Sequence, residues 1–158
     1  MKELVVDDDV VWSVAFSPDG HDLATGTSDE VVAVWDVATG RQRIALTGHA
    51  GGATDVAYLA DGATLVAVDR RGQLHLWDAP SGRRLGAAWQ AHASASWRIA
   101  VHPDGEQFAT TGDDGRVMIW DELSVARACD LGRAAFDATR RSQYLGEGAR
   151  SVACDRGP

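Results

Sequence analysis

Five histidines, two cysteines and 23 carboxylates are the side chains of this sequence with the means to do chemistry. Serine, histidine and aspartate all occur, as a hydrolytic triad requires, but no nucleophile elbow surrounds any serine. No glycine-rich phosphate loop and no zinc-ligand spacing is present either. Asp7, Asp8 and Asp9 could gather a cation. Consecutive side chains on a strand point to alternate faces, however, so the run reads as a solvated turn. His75 alternates with Leu74 and Leu76 and faces the opposite side from them. Cys129 and Cys154 are too few for a disulfide framework and read as reduced thiols of a cytoplasmic protein. The doublets Arg70-Arg71 and Arg140-Arg141 read as solvated loops. The residues therefore predict no enzyme, no metal and no cofactor.

Spacing is more informative than chemistry. Pro-Asp-Gly stands at 18–20 and 103–105, with Ala-Asp-Gly at 60–62 between them, so the central Asp recurs after 42 and 43 residues. Trp-Asp at 35–36, 77–78 and 120–121 recurs at the same intervals of 42 and 43. Gly48-His49 and Ala91-His92 lie 43 apart. A fixed period of this length marks a repeat architecture. Within the first unit, residues 12–16, 22–27, 31–35 and 42–47 alternate like strands, with β-branched and aromatic residues in them and Gly, Asp and Pro between. Four short strands per unit is the size of a propeller blade.

The composition agrees. The chain has 158 residues, 45% of them hydrophobic and 24% charged, which suits a folded globular protein rather than a disordered one. Its formal net charge of −8 repels phosphate backbones, so nucleic acid is not an expected partner. No apolar run is long enough for a leader or a bilayer span, so no membrane association is expected.

The segments WSVAFSPDG (12–20), VVAVWDVATG (31–40), TGH (47–49) and DDGRVMIWD (113–121) resemble the WD-repeat β-propeller family. The resemblance implies an all-β fold, a single partial propeller over 1–158. It places blades near 10–47, 53–90 and 96–131 and a degenerate fourth over 133–158, where Cys154-Asp155 takes the place of Trp-Asp. In this family a Trp, a Ser or Thr, a turn Asp and the His of Gly-His form a buried hydrogen-bonded set. The implied members are Thr27, Asp29 and Trp35 in the first unit, with Asp7 or Asp8 near the His position. The second offers His49 and Trp77, with Arg71 in place of the Asp. The third offers His92, Asp114 and Trp120, with Gly112 in place of the Ser.

Relatives close rings of seven or eight blades, and about four is incomplete. An open blade face on the order of 500 Å² forgoes roughly 12 kcal/mol of burial. Residues 2–6 read as a fourth strand arriving ahead of the first unit, which two chains could exchange to close a homodimeric ring. A fragment of a longer propeller is the alternative. Trp12, Thr54 and Trp97 occupy equivalent positions, each seven residues before the landmark Asp. They open the strand that lines the channel, and aromatics there suit a partner-binding role. The family implies a non-catalytic scaffold for protein or peptide partners. The rival is a regulatory or sensor segment of a larger signalling kinase or ATPase.

Overall fold

The computed structural model describes residues 3–6, 10–103 and 107–121. They form three antiparallel sheets. The first runs in the order β1 (Val11–Phe16), β2 (Asp22–Thr27), β3 (Val31–Asp36), β4 (Gln42–Thr47). The second is β5 (Ala53–Tyr58), β6 (Thr64–Asp69) and β7 (Gln73–Asp78), with β8 (Arg83–Arg84) and β9 (Trp89–Gln90) both paired to β7. Its outer strand is thus broken into two short pieces. The third is β10 (Ser96–Val101), β11 (Gln107–Gly112) and β12 (Val117–Asp121). Glu3–Val6 is not in a strand, so the expected leading strand is absent from those residues. The degenerate unit over 133–158, both cysteines, Asp7–Asp9 and Arg140-Arg141 lie outside the described residues.

The landmark residues are turn chemistry. Asp19 accepts from the Ser17 hydroxyl at 2.7 Å and the His21 amide at 3.0 Å, closing the β1–β2 turn. Asp61 does the same for the Ala63 and Thr64 amides at 2.9 and 2.8 Å. The Asp of Trp-Asp holds the next turn: Asp36 accepts from the Thr39 amide at 2.6 Å, and Asp78 from the Ser81 amide at 3.0 Å. A carboxylate bonding amides two or three residues on stands in for a backbone turn, which is why Asp repeats there.

The first strands are innermost and adjacent: β1 lies beside β5, and β5 beside β10. Apolar residues then fill the space between blades. Val32, Val34 and Leu46 of the first pack on Val56, Tyr58, Leu65 and Trp77 of the second. Val66, Val68, Leu74 and Leu76, on the other side of the second blade, pack on Phe108 and Trp120 of the third. The middle blade is therefore covered on both faces, and its strands read as nearly continuous apolar runs. The outer faces differ at equivalent repeat positions. Val14 and Phe16 are 60% and 63% exposed, while their counterparts Val56 and Tyr58 are 4% and 7%. Val117 and Ile119 are 65% and 61% exposed, while Leu74 and Leu76 are 1% and 3%.

Candidate functional site

The buried polar sets lie at one end of the blades, beneath the turns joining second to third strands. The third blade holds the complete one. Trp120 Nε1 donates to Thr110 Oγ1 at 3.0 Å, and that hydroxyl lies 2.9 Å from His92 Nε2. His92 Nδ1 meets Asp114 Oδ1 at 3.0 Å. The His92 ring first, aided by the Ala93 and Arg116 amides, pulls the Asp114 carboxyl down to about 2. The hydroxyl residue is thus Thr110, which corrects the assignment of that place to Gly112. Gly112 serves another end: a Cβ there would stand 2.6 Å from His92 Cγ, so only glycine lets the imidazole in.

The first blade needs the same correction. Trp35 Nε1 donates to Thr25 Oγ1 at 3.0 Å, not to Thr27. Thr27 instead bonds Asp29 and lies 2.8 Å from the Val31 carbonyl, bracing the β2–β3 turn.

The second blade has Ala67 at the place of Thr25 and Thr110, and Arg71 at the place of Asp29 and Asp114. His49 Nδ1 meets the Glu30 carbonyl at 3.3 Å. Its Nε2 and Trp77 Nε1, the two atoms that a hydroxyl would bridge, are buried without a hydrogen-bond partner. Burial first, then the neighbouring His75, depresses the His49 pKa from 6.5 to about 4. A different polar set occupies this blade. His75 Nε2 meets Asp69 Oδ2 at 2.9 Å, and Arg84 Nη2 lies 2.7 Å from His75 Nδ1. Arginine only donates, so Nδ1 accepts and Nε2 carries the proton that Asp69 receives. Burial opposes the Asp69 charge, but the His75 bond and the Gln73 and Arg71 amides outweigh it and keep its pKa below the ordinary value. Arg84 also lies 5.4 Å over the Trp77 ring, and the His49 and His75 rings are 4.6 Å apart.

The three residues that open the innermost strands share one backbone feature: the strand register shifts at each of Trp12, Thr54 and Trp97. A bulge re-aims the side chain it carries. The structure does not bring all three to an accessible surface. Thr54 is 3% exposed, with its hydroxyl 3.0 Å from the Val68 carbonyl and 2.6 Å from that of Ser96. It ties the second blade to the third, and its grouping with accessible anchors is corrected. Trp12 is half-buried on Gly52, with the Arg70 guanidinium 5.7 Å over its ring. Trp97 is 41% exposed, and its Nε1 donates to Asp113 Oδ1 at 2.6 Å.

Sequence reasoning missed Asp55. It is 8% exposed, receives the Ser13 hydroxyl from the first blade, and accepts the Ile99 amide of the third at 2.7 Å. One carboxylate thereby joins all three innermost strands. An acid in the middle of the strand ATDVAY was the available signal. Among the described residues, no group of three His, Cys, Asp or Glu could hold a metal ion.

Three blade-like sheets with innermost first strands and a buried His–Thr–Trp–Asp set define a protein of the β-propeller repeat class. The family described as WD domain, G-beta repeat matches residues 3–36, 40–78 and 83–121, and the chain belongs to it. WD repeat and SOCS box-containing protein 1 of Xenopus tropicalis is 27% identical over 135 residues, covering 72% of this chain and 32% of that protein. WD repeat-containing protein SL1-17 of Schistosoma mansoni is 33% identical over 110 residues, covering 70% and 36%. The chain thus spans about a third of the length of these relatives. A chain in the crystal structure of the mitotic checkpoint complex superposes with a TM-score of 0.69 at 27% identity, over 77% of this chain and 36% of that one. The structure of U3-55K gives 0.71 at 22% over 77% and 38%, a likeness of fold alone.

Proposed function

We propose that this chain is a non-catalytic, cytoplasmic interaction scaffold that docks protein or peptide partners on the blade end bearing Trp12 and Trp97. The observation that carries this reading is Trp97. A large aromatic ring 41% exposed at a strand bulge, with its N–H fixed by Asp113, is pre-organised to bury itself in a partner. That a structural neighbour was solved within a complex is in keeping with this. The test is quantitative affinity capture with wild type and Trp97→Ala side by side. Partners docking here lose about 2 kcal/mol of binding or more, the cost of removing an aromatic anchor, while the thermal midpoint stays nearly unchanged. If the substitution instead unfolds the chain and binding per folded molecule is intact, the ring is a core residue and the docking face lies elsewhere.

A further inference from the structure

The β6–β7 turn stands out on this blade end because its charge is reversed. The equivalent turns of the first and third blades carry Asp29 and Asp114, both spent on hydrogen bonds. The second blade presents Arg70 and Arg71, both exposed. Arg70 stacks on Trp12. Among the described residues neither guanidinium has a carboxylate within ion-pairing distance. The turn is rigid and central. Gly72 accepts the amides of Ala91 and His92 through its carbonyl at 2.9 and 3.0 Å. Gln90 Nε2 bonds the Arg71 carbonyl at 2.7 Å and the His92 carbonyl at 2.6 Å. The backbone of the turn is therefore tied to the loop leading to Trp97, and the Arg70 guanidinium is held over Trp12.

We infer that the partner docking on this face is a carboxylate-rich peptide segment, received by Arg70 and Arg71. The inference rests on the docking reading above and names the chemistry of its ligand. Two forked guanidinium groups donate to carboxylates in charge-assisted pairs, and the Arg70 guanidinium, already over the Trp12 indole, loses little freedom on binding. The net charge of −8 sets the scale of the ligand. A long polyanion would be repelled by the rest of the molecule. A short acidic segment meets the cations locally and avoids that cost.

Fluorescence anisotropy with the full chain tests this. The probes are a short labelled peptide alternating Glu with Leu, its Gln–Leu counterpart and a labelled thymidine oligonucleotide. The Glu peptide binds about tenfold tighter than the Gln peptide at low salt, and the gap narrows as salt rises. Arg71→Asp, which restores the residue type of the other two blades, closes the gap, and the milder Arg71→Gln reduces it, both with an unchanged thermal midpoint. Equal binding of the two peptides, or an unchanged Glu preference in both variants, overturns the inference. So does displacement of the Glu peptide by the oligonucleotide. If both peptides bind equally and Trp97→Ala weakens both, the acidic preference falls and the docking reading stands. If neither peptide binds, the preference also falls, and capture with Trp97→Ala still decides the docking reading.

Discussion

His92 and His49 hold the same place in consecutive repeats, and both are sealed from solvent. Every polar atom of the His92 set has a partner. Around His49 one methyl stands where the neighbouring blade has a hydroxyl, and two ring nitrogens lose their partners together. The second blade compensates one step along the sheet. Its Asp69, His75 and Arg84 form a set that the third blade lacks, since Gly112 and Met118 occupy the places of Asp69 and His75. The fold thus tolerates a defective set where both blade faces are packed, as they are only for the middle blade among the described residues. Packing on both faces, together with the Asp69–His75–Arg84 set, stands there in place of the bridge that Thr110 makes in the third.

The comparison can be broken by deleting the packing. Trp77 is 5% exposed, and Trp77→Ala costs about 3–5 kcal/mol, read by urea denaturation. A loss below about 1 kcal/mol would mean that the middle blade is not held by its core.

Acid separates the two blades next. The His49 pKa falls from 6.5 in the unfolded chain to about 4 when folded, so between those values the unfolded state binds more protons. Stability held above pH 6.5 is lost as pH falls through that window, roughly 3 kcal/mol in all. Asp114 gives way only lower, between 3.8 and about 2. Urea midpoints at pH 7 and pH 4.5 therefore differ more for wild type than for His49→Gln. Equal differences would remove His49 from the account.

Thr110→Ala copies the defect of the second blade into the third. It leaves Trp120 Nε1 and His92 Nε2 unpaired and costs about 2 kcal/mol, measured by the same denaturation. No loss would show that the hydroxyl is dispensable everywhere. The reverse change, Ala67→Thr, supplies the missing bridge and gains about 1 kcal/mol. A destabilised variant would instead mean that position 67 has no room for the larger side chain.

The strands were legible because their boundaries are turn residues with local jobs, such as Asp19, Asp36 and Asp61. Local spacing could not choose between Thr25 and Thr27, which lie two apart on β2 and share a face. The cross-strand register chooses. Trp35 stands opposite Leu23, so its indole reaches the diagonal neighbour Thr25. The same uncertainty hid Thr110 behind Gly112. Thr54 and Asp55 were misjudged or missed for another reason: their partners are on adjacent blades, at Ser96, Ser13 and Ile99, about one repeat away in sequence. Trp97 could be picked out because its position opens a strand at the blade end, where a ring need not be covered.

The exposed pairs Val14 with Phe16 and Val117 with Ile119 give the assembly a direction. They are not two copies of one patch. The first presents what the middle blade offers backward to its predecessor, and the second what that blade offers forward to its successor. Like a row of tiles cut with a tongue on one side and a groove on the other, the sheets accept a further blade in one sense only. Two forward faces brought together meet the wrong relief. Any sheet that covers Val117 and Ile119 by this packing must arrive with residues of the Val14 and Phe16 type leading, so growth of the array is vectorial.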